Sequence, residues 1–212
     1  MATEEQTTSN ADALLNVTIC AAGQRLTISN RLVSKLGFYL SRVGTITGDI
    51  SFRIKRVSDN SLIVSKVLAD ASTIATSNTY YEVTFSPTVA INEEVRIYVL
   101  YLGGGSAPNG INVRYQNTDV KASEYFTYIA ASTEAGSWTN AATYDCAYIY
   151  TYQGGPTPTP TSGSLVLPAD PITRVTNLTH RYNRKQGIYM LEGNMGDVTS
   201  DLGVPEWSST PQ

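Results

Sequence analysis

The sequence predicts an all-β protein, and three observations predict it. Short apolar runs alternate with period two, and clusters of Gly, Asn, Asp and Ser break them at roughly 8–12-residue spacing. No segment keeps a helical period over three turns. The chain also carries 14 tyrosines against 4 phenylalanines. Tyrosine suits strands, because its ring packs on the pleated face while its hydroxyl reaches water. Charged residues are only 16% of the 212, below the usual share of about 25%. Ser, Thr and Asn must therefore make most of the polar surface.

Met1 to Asn10 has almost no apolar content, and residues 1–13 read as a flexible lead-in. Ala11 to Leu15 fits either a short helix capped by Asn10 or the approach to a first strand. Val17 to Ile19 and Gln24 to Ile28 are strand-like, with Ser29-Asn30 as a turn. Residues 14–153 form the expected body. Leu32, Ser34, Leu36, Phe38 and Leu40 fall on one parity and should face the core. Ile50, Phe52 and Ile54 should point inward, leaving Ser51, Arg53 and Lys55 on an outward cationic face. Asp59-Asn60-Ser61 marks a turn before Leu62–Val64 and Val67–Leu68, and Ala69 to Asn78 reads as a loop or one helical turn. Tyr81, Val83 and Phe85 share a face, and Pro87 is expected to end that strand. Val95 to Leu102 is the most apolar run and the expected central strand. After a glycine-rich loop at 103–110 come Ile111, Val113 and Tyr115, then Tyr125 to Ala131, a loop containing Trp138, and a last strand from Tyr144 to Tyr152.

Leu36-Gly37-Phe38-Tyr39-Leu40, then Val43-Gly44 through Gly48-Asp49-Ile50, Phe52-Arg53-Ile54, Tyr81 to Phe85 and Tyr98-Val99-Leu100 together resemble a jelly-roll family. Its members are carbohydrate-binding-like β-sandwich modules of secreted bacterial proteins and phage structural proteins. The resemblance spans about Gln24 to Tyr152 and implies a jelly-roll β-sandwich with Cys146, Tyr148 and Tyr150 inward. The chain departs from the family pattern at Glu93-Glu94, where a glycine is usual, and at Tyr80 or Tyr81, where a tryptophan is usual.

Gly154 to Gly163 reads Gly-Gly-Pro-Thr-Pro-Thr-Pro-Thr-Ser-Gly. Proline lacks an N–H and fixes φ, so residues 154–164 are expected to be an extended linker, at roughly 3.1 Å per residue a semi-rigid spacer. Residues 165–212 form a C-terminal arm with a β-hairpin: Ile172 to Tyr182 and Ile188 to Met195 flank Asn183 to Gly187. An isolated hairpin is marginal in water, so this one should pack on something else. Residues 175–196 also faintly resemble C-terminal segments of tailed-phage structural proteins.

Composition and motifs narrow the function. Net charge is −3 with a pI near 5.2, which argues against a general nucleic-acid binder. No apolar run approaches the roughly 20 residues a membrane helix needs, and the acidic N-terminus does not resemble a secretory leader. Cys20 and Cys146 read either as a disulfide between early and late strands or as two small buried hydrophobes. Asn16-Val17-Thr18 and Asn177-Leu178-Thr179 match a glycosylation sequon by chance composition. His180 is the single histidine, so metal sites and catalytic triads have little to build on. No cofactor or metal is expected, and the chain is not expected to be an enzyme, since Asp119, Glu124 and Glu134 show no paired spacing.

Two sets of residues stand out for binding. Tyr115, Tyr125, Tyr128 and Trp138 are a candidate aromatic platform for a sugar ring. Arg174, His180, Arg181, Tyr182, Arg184, Lys185, Tyr189 and Trp207 are a candidate assembly surface on the arm, where Glu192, Asp197, Asp201 and Glu206 nearly cancel the positive charge. The expected function is a virion structural protein: a minor capsid, decoration, fibre or tail component. Its expected partners are other capsid or tail proteins and further copies of itself, with glycans as alternative ligands and its location the particle assembled in the host cytoplasm.

Overall fold

The computed structural model describes residues 1–155 and, beyond them, four short strands between 174 and 196. The chain divides into two units, Met1–Thr159 and Pro160–Gln212. The first contains eleven antiparallel strands. They are β1 (Ala2–Gln6), β2 (Ala11–Leu15), β3 (Ala21–Val43), β4 (Asp49–Arg56), β5 (Leu62–Asp70) and β6 (Thr79–Tyr101), followed by β7 (Gly110–Gln116), β8 (Tyr125–Ile129), β9 (Trp138–Ala141), β10 (Asp145–Cys146) and β11 (Tyr148–Gly154). Among the described residues there is no α-helix. A single 3₁₀ turn at Ala71–Thr73 is capped by Asp70, whose carboxylate accepts from Ser72 N at 2.8 Å. The all-β expectation holds.

Strands β3 and β6 organise the body. They pair with each other from Ala21↔Leu100 to Leu40↔Thr79, and the main strand order is β1-β11-β3-β6-β4-β5. Strand β3 also carries β8 along its first residues, β11 along its middle and β7 at its end. One contact shows that this assembly folds back on itself. Phe38 lies opposite Tyr81 and Phe52 opposite Val99. Tyr81 and Val99 stand eighteen residues apart on β6, on the order of 60 Å in a straight strand at about 3.3 Å per residue. Yet the Phe38 and Phe52 rings meet edge to face at 5.0 Å. The two ends of the β3–β6 ladder therefore close over one core, which includes Leu36, Leu40, Ile50, Ile54 and Ile97.

The corner is a β-bulge. Ile28 pairs with Glu93 but Arg31 with Ile91, so one extra residue enters β3. Asn30 takes φ +48°, a left-handed conformation that asparagine tolerates, and its N–H donates to Asn92 Oδ1 at 2.9 Å. Ser29-Asn30, expected as a turn, is this bend in an unbroken strand. A second irregularity lies at Ser34. Val33 pairs with Val89 and Lys35 with Thr84, so Phe85 to Thr88 bulge out of β6, and proline at 87 interrupts no ladder bond. Strand β6 thus continues through the residue expected to end it. The same irregularity corrects the expected parity of β3: Leu36, Phe38 and Leu40 are buried as predicted, but before the bulge Val33 is fully buried while Leu32 is half-buried.

The N-terminal residues are the largest correction. Ala2–Gln6 is an edge strand paired with Tyr148–Tyr152, and Ala11–Leu15 is a strand paired with Ile111–Tyr115. Polar contacts hold β1: Glu4 pairs with Arg31 at 3.3 Å and with Lys121, and Gln6 Nε2 donates to the Cys146 carbonyl at 3.3 Å. The expected closing strand holds at the other end of the body, where Cys146, Tyr148 and Tyr150 are all buried.

In the second unit, β12 (Arg174–Val175) pairs with β15 (Met195–Gly196), and β13 (Thr179–Asn183) with β14 (Ile188–Glu192). The expected hairpin is present, with its inner register running from Thr179↔Glu192 to Asn183↔Ile188.

Because Phe52 closes the core against Phe38, Phe52→Ala is expected to cost about 3–5 kcal/mol in urea unfolding. Leu62→Ala, at a half-exposed position on the β5 edge, is expected to stay within about 0.5 kcal/mol.

Candidate functional site

The face of β4, β6, β3 and β8 turned away from the main core carries an unusual set of side chains. Register places them in rows. Ser51, Leu100, Ala21, Ile129 and Trp138 form one row; Arg53, Tyr98, Gly23 and Thr127 the next; Lys55, Arg96, Arg25 and Tyr125 the third. Leu100, Ala21 and Ile129 of the first row, with Cys20 and Tyr98, make a small second apolar cluster against which Ala131 and Trp138 pack. Glycine at 23 is required here. A Cβ would run into the Ile97 carbonyl oxygen and the Tyr98 backbone, so glycine leaves room for Tyr98 beside it.

Two hairpins bring the cover. The segment between β8 and β9 delivers Glu134, which pairs with Arg53 at 2.6 Å and Lys55 at 2.8 Å and accepts a hydrogen bond from the Tyr98 hydroxyl. Trp138 meets Tyr98 edge to face at 4.9 Å. Its indole N–H donates at 2.9 Å to Asn60 Oδ1 in the β4–β5 turn, where Asn60 takes φ +60°. Trp138 therefore ties the β8–β9 hairpin to the β4–β5 hairpin across the sheet. Arg25 grips Glu94 through two bonds, 2.7 and 2.9 Å, and lies 5.5 Å from the Tyr125 ring centre. Arg96 lies 5.2 Å from the Trp138 ring centre.

Burial raises the Glu134 carboxyl, but the bonds from Lys55 and Tyr98 and the Arg53 charge outweigh it and leave it below its ordinary value. Burial pushes the Tyr98 phenol far up, with Glu134 adding to the effect. For Arg96, burial and then the Arg25 charge bring the guanidinium below its usual value.

The four aromatic residues expected to form one platform do not share a face. Trp138 and Tyr125 lie on the outward rows. Tyr115 stacks on Phe126 at 4.7 Å and Tyr128 packs 6.0 Å from that ring, both against the main core. Trp138 itself is engaged by Tyr98 and Arg96, so its ring is no bare stacking surface. Of the arm residues, Arg174, His180, Arg181, Tyr182 and Tyr189 lie on the described strands, with Tyr182 opposite Tyr189 and His180 opposite Leu191. Arg184, Lys185 and Trp207, and the Pro/Thr spacer from Pro156 onward, lie outside the described residues.

The sequence gives no hint of a second polar cluster, inside the body. Asp145 is fully buried. It accepts from Gln24 Nε2 at 2.5 Å and from the Val120 and Lys121 N–H groups at 2.7 and 3.0 Å. Gln24 in turn accepts from Cys146 N at 2.7 Å and donates to Glu124, which also accepts from the Tyr148 hydroxyl at 2.7 Å. Burial raises Glu124, partly offset by that hydroxyl. With three donors on one carboxylate, this cluster anchors the loop before β8 to the closing strands. Cys20 and Cys146 are free and buried, and burial pushes both thiols up, which disfavours nucleophilic chemistry. Asn16 of the first sequon is also buried, its side-chain oxygen accepting from Thr18 N at 2.8 Å and Thr18 Oγ1 at 2.7 Å. Among the described residues no cluster of His, Cys, Asp and Glu could hold a metal ion.

No protein-family model matches the chain, and no curated protein matches it.

Glu134 binds fewer protons folded than unfolded. Its contribution to stability is complete above its ordinary value of 4.5 and is lost as pH falls through the lower folded value. Glu134→Gln is expected to cost about 1–3 kcal/mol at pH 7. The gap between variant and unaltered chain in urea midpoint should narrow steadily below about pH 4.5. A thiol reagent is expected to label neither cysteine in the native chain and both after denaturation, as followed by mass spectrometry.

Proposed function

We propose that this chain is a structural component of a virus particle, in which the body presents a binding surface and the C-terminal arm docks on a neighbouring subunit. The observation that carries this reading is the division of the chain after the body. The four described strands beyond it pair only with one another, in two two-stranded sheets. Such sheets bury too little apolar area to be stable alone in water, so a partner surface is the natural source of their stability. The Pro/Thr stretch that precedes them has the composition of a semi-rigid tether. The folding-over of β3 and β6 supports the jelly-roll reading of the body, an architecture that resembles modules of phage structural proteins.

Glycan attachment is the second reading, favoured by Trp138 and Tyr125 on one face. It requires Trp138 to release Tyr98 or to bind through its remaining edge.

Deleting residues 165–212 is expected to leave the body folded by circular dichroism and to abolish its co-sedimentation with particles. A truncated chain that still co-sediments would overturn the assembly role. A glycan-array signal that disappears in Trp138→Ala would instead establish the second reading.

A further inference from the structure

Arg96 is the unexplained group of the outward face. The residue is only 8% exposed, and its Nε, like that of Arg53, is buried without a hydrogen-bond partner; Arg53 has Glu134 as its carboxylate and Arg96 has none. The carboxylates nearby are committed elsewhere: Glu94 to Arg25 through two bonds, and Glu134 to Arg53 and Lys55. Lys55 and Arg25 stand directly opposite Arg96 on the two adjoining strands. Like charges in that arrangement destabilise a sheet, and a buried donor without a partner adds to the cost. The Trp138 ring recovers part of it as a cation–π contact, but a ring face accepts no in-plane hydrogen bond from the guanidinium fork. Four cations therefore share two carboxylates, and Arg96 is the one of the four with no ion pair. A carboxylate is the anion whose planar geometry the fork matches.

The chain itself contains a segment of the required chemistry. Gly196 to Gln212 carries Asp197, Asp201 and Glu206, with no lysine or arginine, and interleaves them with Leu202, Val204 and Trp207. The geometry points to Arg96 as the receptor for a carboxylate from the acidic segment Gly196–Gln212 of another copy of this chain. This rests on the reading that the arm docks on a neighbour, and it gives that docking a place and a chemistry. The incoming carboxylate would satisfy the unpaired guanidinium and separate it electrostatically from Lys55 and Arg25. Arginine at 96 then lowers the stability of the free body and contributes to association.

The test uses ¹⁵N-labelled full-length chain carrying Asp197→Asn, Asp201→Asn and Glu206→Gln, so that its own segment does not compete. A synthetic peptide of residues 196–212 is titrated in. The Arg96 Nε–Hε resonance is expected to move saturably, and the affinity to fall with added salt. Arg96→Met is expected to keep the native circular dichroism spectrum, melt at or above the temperature of its parent, and lose peptide binding. Arg96→Lys should weaken binding about tenfold or more, because ammonium cannot form the paired bonds.

The proposal is overturned if a peptide with the three acids neutralised moves Arg96 equally well, or if the acidic peptide leaves Arg96 unmoved. It is also overturned if glucuronate shifts the resonance where the peptide does not, which would make the site one for a sugar acid. An unmoved Arg96 together with loss of co-sedimentation on arm deletion would reject this docking place and keep the assembly role. A moved Arg96 with co-sedimentation intact would keep the contact and reject the role.

Discussion

The long antiparallel pairing of β3 with β6 is the constraint on which the body depends. Both strands run for 23 residues, far longer than a strand of ordinary length. A straight ladder of that length would leave its apolar face in water. Folding it over brings that face against itself, and between its two ends the ladder is broken by two irregularities, one at Ser34 and one where Asn30 accepts a left-handed backbone and Asn92 caps its N–H. The other strands attach to the flanks this ladder offers: β4 and β5 beyond one end of β6, and β8, β11 and β7 along successive stretches of β3. The core closes because one long pair of strands folds over on itself.

Much of this was legible where a single face is buried. Ile50, Phe52 and Ile54 alternate cleanly with Arg53 and Lys55 because β4 has the core on one side and the charged rows on the other. Val95 to Tyr101 reads as central because both of its faces are covered, by the main core and by Trp138 with its hairpin. The failures have a common physical cause, since period-two reasoning assumes an unbroken pleat. The bulge at Ser34 shifts the phase between Val33 and Lys35, so a parity that is right for Phe38 is wrong for Leu32. Proline and Ser-Asn are ordinary stop signals, but a bulge accommodates both without ending the strand. Strand β1 was invisible for another reason. Its side chains are held by Arg31, Lys121 and backbone carbonyls, and no hydropathy pattern reports ion pairs whose partners lie 27 and 117 residues away. The outward site was half legible: Trp138 and Tyr125 stood out as aromatics, while Glu134, Arg96 and Asn60 acquire meaning only when the fold gathers them beside Tyr98 and Trp138.

Charge is handled in opposite ways on the two sides of the sheet. Asp145 is buried completely, yet two backbone N–H groups and Gln24 replace the water it loses, so the burial is compensated. Arg96 is buried almost as deeply and receives only the face of a tryptophan. Placing three cations in register across β4, β6 and β3 could have been avoided by any neutral strand-forming residue at 96. That contrast separates a polar group serving the fold from one whose presence the fold alone does not account for.

Ala2 lies directly opposite Tyr152. The first and last strands of the body are thus zipped together at one edge of the sheet, and β5 forms the far end of the main strand path. A peptide fused before Ala2 would emerge beside the root of the Pro/Thr stretch, while an insertion in the β4–β5 turn would emerge near Trp138. The body therefore offers separate handles for attachment and for display, and its strands could be circularly permuted by bridging residues 2 and 152 with a short loop.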